Sequence, residues 1–171
     1  FDIPGDPREH YIHALEWIPG TNRLTAQQLN RLQNRDRLFI AQIDKGLLGG
    51  PRVKDLRLLL TERDDAWVQY GVKPIWLKSG EEFLWISESH GWRGLYLVDG
   101  ETGERNLLTP GEYDVIDYLN ADEEDGWIYF IASPNNPTQR YLYRVPLSGG
   151  EAERLTPEGE TGTHQYSISK D

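Results

Sequence analysis

Three residues near the start of this sequence have the spacing of a metal site. His10, His13 and Glu16 follow one another at intervals of three, which on a helix would place three ligands on one face. The residues around them predict a β-strand instead, and on a strand residues i and i+3 point to opposite faces. We therefore expect no metal ion here, and no residue pattern predicts a cofactor. His90 and His164 stand singly beside turn residues and are predicted to be surface polar groups.

A second cluster of polar residues follows an apolar strand. Arg31 is flanked by Asn30 and Asn34, and we predict that these side chains satisfy backbone carbonyl groups in a turn. The sequence contains no cysteine, which excludes disulfide bonds and thiolate chemistry.

The net charge of the chain bears on which kinds of molecule it can bind. The formal net charge is −10 and the sequence pI is about 4.9, which argues against nucleic acid because phosphate binding needs clustered Lys and Arg. Acidic runs such as 122–125 fall between apolar segments and are predicted to be solvated turns. No apolar run approaches the roughly 20 residues that span a bilayer, so we expect no membrane span in this chain.

Internal repetition indicates the elements that position these residues. Leu108-Thr109-Pro110 recurs as Leu155-Thr156-Pro157, 47 residues later, and Leu60-Thr61-Glu62 stands 48 residues before the first copy. Leu95-Tyr96 recurs as Leu142-Tyr143, again 47 residues later. Repeats of roughly 40–50 residues are typical of solenoids and propellers.

Each repeat contains short apolar strands separated by turn residues. The predicted strands of the two clearest repeats are Lys73–Leu77, Glu82–Ser87, Gly94–Val98 and Arg105–Leu108, then Val115–Asn120, Trp127–Ala132, Arg140–Val145 and Ala152–Leu155. Four antiparallel strands per repeat predict an all-β fold, a partial β-propeller of about three four-stranded antiparallel blades. The blades are predicted at roughly 11–62, 72–110 and 114–157, with a further blade starting at 164–171.

The first repeat is less regular than the other two. Thr25–Asp36 has a composition that would suit a helix, but the repeat predicts a strand and a turn there. Gly46–Lys54 is interpreted as an enlarged loop. Aromatic residues in the strands are predicted to pack in the core: Trp85, Tyr96, Trp127, Tyr129 and Tyr143.

Both ends of the sequence suggest a longer parent. The chain opens on Phe1 without an initiator methionine, so we expect an upstream portion, and the last residues read as the start of another blade. Three blades alone would leave strand edges open, so we also expect self-association through those edges.

A series of more specific motifs runs in order along nearly the whole chain. They are Asp2 with His10-Tyr11-Ile12 and Trp17; Leu29-Asn30-Arg31 with Gln33-Asn34; Asp64-Asp65-Ala66-Trp67-Val68; Phe83 to Glu88 with Gly91-Trp92 and Leu95-Tyr96-Leu97; Leu108-Thr109 with Gly111 to Val115; Gly126 to Phe130; and Ala132 to Asn135 with Leu142 to Leu147 and Gly149-Gly150. This series resembles the propeller domain of the dipeptidyl peptidase IV family of serine peptidases, most closely its bacterial members.

The resemblance implies an eight-bladed propeller followed by an α/β-hydrolase domain that removes dipeptides from peptide amino termini. The nucleophile of such hydrolases sits in a Gly-x-Ser-x-Gly turn, and no such pentapeptide occurs here. We therefore expect no catalytic residue in this chain, with the hydrolase domain beyond Asp171. The family's amine-binding glutamate pair is expected before Phe1, so Glu81-Glu82 and Glu123-Glu124 are not assigned that role.

The resemblance also implies partners and one candidate site. Trp67 and Tyr70 follow Asp64-Asp65 in an inter-blade segment that in the family approaches the substrate cavity, so both are candidate substrate-facing residues. The implied partners are the hydrolase domain of the same parent chain and a peptide substrate, and a periplasmic or extracellular location is suspected from the family. Two alternatives stay open: the propeller of another oligopeptidase, such as an acylaminoacyl peptidase, and a stand-alone propeller that serves as a protein-binding scaffold.

Overall fold

The strands of this chain form three separate four-stranded sheets. The structure, a computed structural model, describes residues 2–46, 49–69 and 71–169. Within these ranges it contains β-strands and no helix, and each sheet keeps its strands in sequence order. The predicted all-β fold and the partial propeller are confirmed. Because the described residues include no helix at all, none of them forms a helix that could cross a membrane.

The first sheet is the longest. Its strands are β1 (His10–Trp17), β2 (Arg23–Asn30), β3 (Arg35–Lys45) and β4 (Pro51–Arg63), paired antiparallel in that order. The segment Thr25–Asp36 forms the end of β2, a turn and the start of β3, which confirms the predicted strand and turn. The composition of this segment is compatible with a helix, but pairing with neighbouring strands decides its structure. Both faces of β2 are buried at Thr25–Leu29.

The predicted enlarged loop at Gly46–Lys54 is wrong. β3 and β4 remain paired as far as Lys45 and Pro51, and the Gly46 amide donates to the Gly50 carbonyl at 2.5 Å to close the turn. The segment is therefore a long hairpin with a short tip, whose residues 47 and 48 lie outside the described residues. The prediction failed because charged residues on an exposed edge strand resemble a loop in sequence.

The other two sheets are shorter and follow the predicted strands closely. The second sheet contains β5 (Ile75–Trp76), β6 (Glu82–Ser87), β7 (Gly94–Asp99) and β8 (Arg105–Leu107), and the third contains β9 (Val115–Asp122), β10 (Trp127–Ala132), β11 (Tyr141–Pro146) and β12 (Glu153–Arg154). The strand predicted at Lys73–Leu77 is reduced to two residues. Pro74 precedes it and has no amide to donate to a neighbouring strand.

The chain divides into two compact units. One comprises the residues up to Phe83 together with Asp99–Glu104, and the other comprises Leu84–Val98 and the chain from Arg105 onward. In the second unit the predicted core aromatics Trp85, Tyr96 and Tyr143 are buried, whereas Trp127 and Tyr129 are partly exposed. Trp127 packs instead beneath the Arg144 guanidinium, 4.1 Å from its ring centre.

The repeated Leu-Thr-Pro motif has one structural role in both copies. The Thr109 hydroxyl accepts a hydrogen bond from the Leu95 amide at 3.0 Å, and the Thr156 hydroxyl accepts one from the Leu142 amide at 2.8 Å. Each motif therefore accepts a hydrogen bond from the strand that carries the Leu-Tyr marker. The two sequence markers share one offset because they are hydrogen-bonded to each other.

In the first unit, β4 meets the turn between β7 and β8. Arg57 donates to the Glu101 and Gly100 carbonyls at 2.6 and 2.7 Å, and also to the Glu101 carboxylate at 3.0 Å. The backbones approach so closely that a Cβ on Gly103 would lie 2.4 Å from the Leu59 carbonyl oxygen. Gly103 also has φ +75°, which a glycine adopts without strain.

The last described residues, 164–169, carry no assigned strand, although side chains alternate between half-buried and exposed from 162 to 169. An isolated parallel bridge joins Arg140 to Thr163. The further blade expected from 164 stays a prediction, as do the other blade boundaries.

Candidate functional site

The candidate substrate-facing segment directly follows β4, and the side chain of one aspartate stabilises its turn. The Asp64 carboxylate accepts hydrogen bonds from the Ala66 amide at 2.7 Å and from the Trp67 amide at 3.0 Å. The bond from the Trp67 amide, followed by the bond from Ala66, lowers the pKa of Asp64 below its ordinary value. Asp64 therefore stabilises the turn that presents Trp67.

The turn between β2 and β3 anchors this segment. The Val68 amide donates to the Gln33 carbonyl at 2.8 Å, and the Asp64 amide donates to the Asn34 carbonyl at 3.2 Å. Gln33 itself adopts φ +57°, the left-handed region that non-glycine residues rarely occupy. The backbone around Trp67 is thus held at two points by a neighbouring turn.

The polar cluster predicted in this turn is present, with a different hydrogen-bonding pattern. The Asn30 side-chain oxygen accepts from the Asn34 and Arg35 amides at 3.1 and 3.0 Å, so it satisfies amides and not the carbonyls that were expected. Arg31 does satisfy a backbone carbonyl, since it donates to that of Arg8 at 3.1 Å, and it also lies over the Tyr11 ring. The Asn30 side-chain nitrogen, the donor that could reach a carbonyl, instead donates to the Asn34 side-chain oxygen at 2.8 Å.

The side chain of Trp67 is exposed although its backbone is held. Its exposed fraction is 53%, and Leu32, on the anchoring turn, is 78% exposed. A large aromatic surface on a fixed backbone can bind an extended chain without a large ordering cost. Tyr70, the other candidate substrate-facing residue, lies outside the described residues.

The first sheet also contains a buried polar network that the sequence did not predict. His13 Nε2 lies 3.1 and 3.2 Å from the two carboxylate oxygens of Asp36. Gln27 donates from Nε2 to the Val72 carbonyl at 2.7 Å and to Asp36 at 3.3 Å. The network joins β1, β2 and β3 to the segment that follows residue 70. The pairing register is interrupted between Ile12 and Ala14, at His13.

The residues with metal-site spacing do not converge. His13 faces Asp36, whereas Glu16 forms an ion pair with Lys73 at 2.6 Å. In the described part of the chain, no group of three or more His, Asp or Glu side chains is placed to hold a metal ion.

His90 and His164, which were predicted to be surface polar groups, are partly buried and contact aromatic side chains. His90 is half-buried, and its Nδ1 lies 2.9 Å from the Tyr96 hydroxyl. His164 packs between the rings of Tyr141 and Tyr166. Imidazole has an apolar body and a polar edge, so an aromatic contact buries it at little cost even beside a turn.

Ser89 is connected to a histidine through a tyrosine, and this arrangement is not that of a nucleophile with its base. The Tyr96 hydroxyl lies 3.0 Å from the Ser89 hydroxyl and 2.9 Å from His90, so the tyrosine bridges the two groups. A nucleophilic serine needs direct hydrogen-bond contact with its base. In the described contacts the hydroxyl of Ser89 is therefore paired with the tyrosine and not with the histidine.

Three four-stranded antiparallel sheets, each a meander in sequence order, define the chain as a segment of a β-propeller. A family model described as the dipeptidyl peptidase IV (DPP IV) N-terminal region matches residues 1–171. The chain therefore belongs to the family of DPP IV N-terminal regions.

Curated relatives of this chain are much longer than it. A probable dipeptidyl peptidase 4 of Aspergillus fumigatus is 28% identical over 172 residues, which cover 96% of this chain and 21% of the relative. A probable dipeptidyl-aminopeptidase B of Coccidioides posadasii is 27% identical over 177 residues, which cover 98% of this chain and 18% of the relative. The chain thus spans about a fifth of the length of the relatives it matches.

Solved structures share the fold. The crystal structure of Porphyromonas gingivalis dipeptidyl peptidase 4 superposes with a TM-score of 0.76 at 22% identity, covering 95% of this chain and 21% of that one. A putative dipeptidyl aminopeptidase IV from Bacteroides ovatus gives a TM-score of 0.70 at 20% identity, covering 86% of this chain and 22% of that one. At these identities the likeness is one of fold.

Proposed function

We propose that this chain is a non-catalytic part of the propeller of a dipeptidyl peptidase IV-like serine exopeptidase. In this proposal it shapes the path of a peptide substrate to a hydrolase domain outside these residues. The observation that carries the proposal is the match of residues 1–171 to the amino-terminal region of that family. The relatives named as dipeptidyl peptidases are about five times longer than the matched segment, which leaves room for a catalytic domain elsewhere.

Trp67 is proposed as the substrate-facing residue of this segment, together with Tyr70. Support for Trp67 comes from the contrast between its held backbone and its exposed ring. A peptide substrate with a proline offers an apolar ring face that an indole can cover. The role given to Asp64 is to hold this indole in place and not to contact substrate.

The same proposal includes the blade boundaries 11–62, 72–110 and 114–157, and a further blade from 164. It also includes a bacterial parent with a periplasmic or extracellular location. Where a sheet edge has no neighbouring blade, we expect contact between copies of the chain. Sedimentation at increasing concentration tests this, and a strictly monomeric profile would contradict it.

Catalytic incompetence of the chain is directly testable. We expect the purified 171-residue chain to release no chromophore from a Gly-Pro-linked substrate above the buffer rate, because a Gly-x-Ser-x-Gly turn is missing. A dipeptidyl peptidase of full length serves as the positive control. Hydrolysis by pure chain would overturn the non-catalytic assignment.

The role of Trp67 is tested by peptide binding. Titration of the chain with a neutral, proline-containing hexapeptide amide, followed by NMR, gives a dissociation constant. We expect Trp67→Ala to raise that constant about threefold to tenfold, since one aromatic contact is lost. The matched control is Trp92→Ala, because Trp92 is also exposed, at 40%. An equal effect of both variants, or none of Trp67→Ala, would refute the assignment.

A further inference from the structure

Two arginines face each other across the strands beside the Trp67 segment. Arg35 is the first residue of β3 and Arg63 the last residue of β4, and they are direct partners in the antiparallel register. Side chains of directly opposed residues lie on the same face with Cβ atoms about 5 Å apart. Both arginines are exposed. Two positive charges are therefore held side by side at the end of the sheet.

Neither arginine has a counter-ion within the described residues. No ion pair joins Arg35 or Arg63 to an acidic side chain, whereas Arg57 and Arg144 each have a glutamate within 3.0 Å. Like charges directly opposed across a sheet destabilise it. The pair thus carries an electrostatic cost that no contact in the described chain offsets.

The neighbouring acidic pair has a different environment. Asp36 and Glu62 are also directly opposed, on the other face of the same strands, and both are buried. Asp36 is hydrogen-bonded there to His13. The contrast is informative, because the buried acidic pair has polar partners within the chain and the exposed basic pair has none.

The carboxylates nearest in sequence leave the arginines free. Asp64 follows Arg63 directly, but its carboxylate already accepts two backbone hydrogen bonds in the turn before Trp67. Asp65 is exposed and forms no ion pair with either arginine. A third arginine, Arg37, lies two residues along β3 on the same face and adds to the positive potential.

The two arginines lie next to the segment that is proposed to face the substrate. Arg63 precedes Trp67 by four residues, and Arg35 directly follows Asn34, whose carbonyl accepts the Asp64 amide. Guanidinium groups bind carboxylates through parallel N–H donors, and two of them can share one carboxylate. An extended peptide on Trp67 could therefore place a carboxylate on this pair.

We propose that Arg35 and Arg63 form a carboxylate-binding site for the peptide that lies on Trp67. The ligand is a peptide that carries a carboxylate, either on an acidic side chain or at its carboxyl terminus. The inference rests on the proposed function, because it assigns the ligand to the same surface. It adds a preference for acidic peptides over neutral, amidated ones.

Three peptides of one sequence test the preference. They are the neutral hexapeptide amide, the same peptide with a free carboxyl terminus, and the amide with one internal glutamate. At low ionic strength we expect at least one carboxylate peptide to bind about tenfold more tightly than the neutral amide. Which one binds more tightly identifies the source of the carboxylate. Equal affinity for all three would overturn the inference.

The double variant Arg35→Gln/Arg63→Gln assigns the preference to the pair. We expect it to bind all three peptides with the affinity that the unmodified chain has for the neutral amide. The control is Arg52→Gln/Arg140→Gln, which removes two other exposed arginines and the same net charge. If the control abolishes the preference equally, the effect is one of net charge and the inference fails.

Two further measurements distinguish a failure of the proposed role of Trp67 from a failure of the arginine-pair inference. Trp67→Ala is expected to weaken binding of all three peptides by a similar factor and to leave the preference for carboxylate intact. If it leaves the neutral amide unaffected, the proposed function of Trp67 fails independently of the arginine pair. Without peptide, the double variant should melt at or above the temperature of the unmodified chain, because a like-charge pair is removed. A lower melting temperature would show that the arginines are structural.

Discussion

Arg57 offers a strict test of what holds the first unit together. Its guanidinium donates to two backbone carbonyls of the β7–β8 turn, those of Gly100 and Glu101, and also contacts the Glu101 carboxylate. Replacement by glutamine removes all three contacts and leaves the partly buried Gly100 carbonyl without this donor. The turn lies close to β4 at this point, since a Cβ on Gly103 would clash with the Leu59 carbonyl oxygen.

The magnitude follows from the type and exposure of the bonds. A hydrogen bond to a charged group contributes about 1.5–3 kcal/mol when it is shielded from solvent. The Arg57 side chain is 29% exposed, so we take the lower end for each carbonyl bond and expect Arg57→Gln to cost about 2–3 kcal/mol. The contact between Arg57 and the Glu101 carboxylate contributes little to stability, because the Glu101 side chain is 76% exposed. We therefore expect Glu101→Gln to cost under about 1 kcal/mol.

Two measurements check this expectation. Equilibrium unfolding in urea gives the total loss, and native-state hydrogen exchange of the Gly100 and Gly103 amides reports the turn itself. Arg52→Gln is the matched control, an exposed arginine on the same strand that should change stability by no more than about 0.5 kcal/mol. If Arg57→Gln costs no more than Arg52→Gln, the carbonyl bonds do not stabilise this unit and the reasoning fails.

Two further predictions concern the turns of the second sheet. Thr109→Val should destabilise the chain by about 1–3 kcal/mol, because the buried Leu95 amide loses its acceptor. In thermal melts, Thr109→Ser keeps the hydroxyl and should have a melting temperature closer to that of the unmodified chain. Equal losses of stability in the two variants would contradict the hydrogen-bond explanation. Hydrogen bonds from the Thr102 and Glu101 amides lower the pKa of Asp99, so its contribution is present above the ordinary aspartate pKa of 3.8 and is lost as the pH falls through the lower folded-state pKa. Acid titration followed by circular dichroism should therefore show a shallower loss of stability for Asp99→Asn, and an unchanged slope would exclude this role.

The repeat pattern predicted the fold because it reflects local physics. Alternating apolar residues, separated by glycine-containing turns, predict short antiparallel strands, and the strands at Glu82–Ser87 and Trp127–Ala132 have the predicted bounds. The pattern failed at the β3–β4 hairpin. The first part of this edge strand, from Pro51 to Arg57, is mostly exposed and carries four charged residues, so its sequence does not show the alternation of a half-buried strand.

The candidate site was predictable only in part. The motif around Trp67 identified the segment, but its exposure depends on backbone hydrogen bonds to Gln33 and Asn34, which lie more than 30 residues earlier in the chain. The link between His13 and Asp36 spans 23 residues of the sequence, and its spacing matches no motif. Such contacts are set by the register of paired strands, and no single strand contains that information.

By itself the sequence determined the strand content, the repeat length, the strongly acidic charge and the resemblance to a family. These follow from residue types and from spacing along one chain. Tertiary structure alone decided which charges meet. It brought Arg57 to the carbonyls of a distant turn, gave His13 a carboxylate partner, and left Arg35 opposite Arg63. The physical reason is that cross-strand neighbours are chosen by register and by sheet packing, over sequence distances that no local pattern spans.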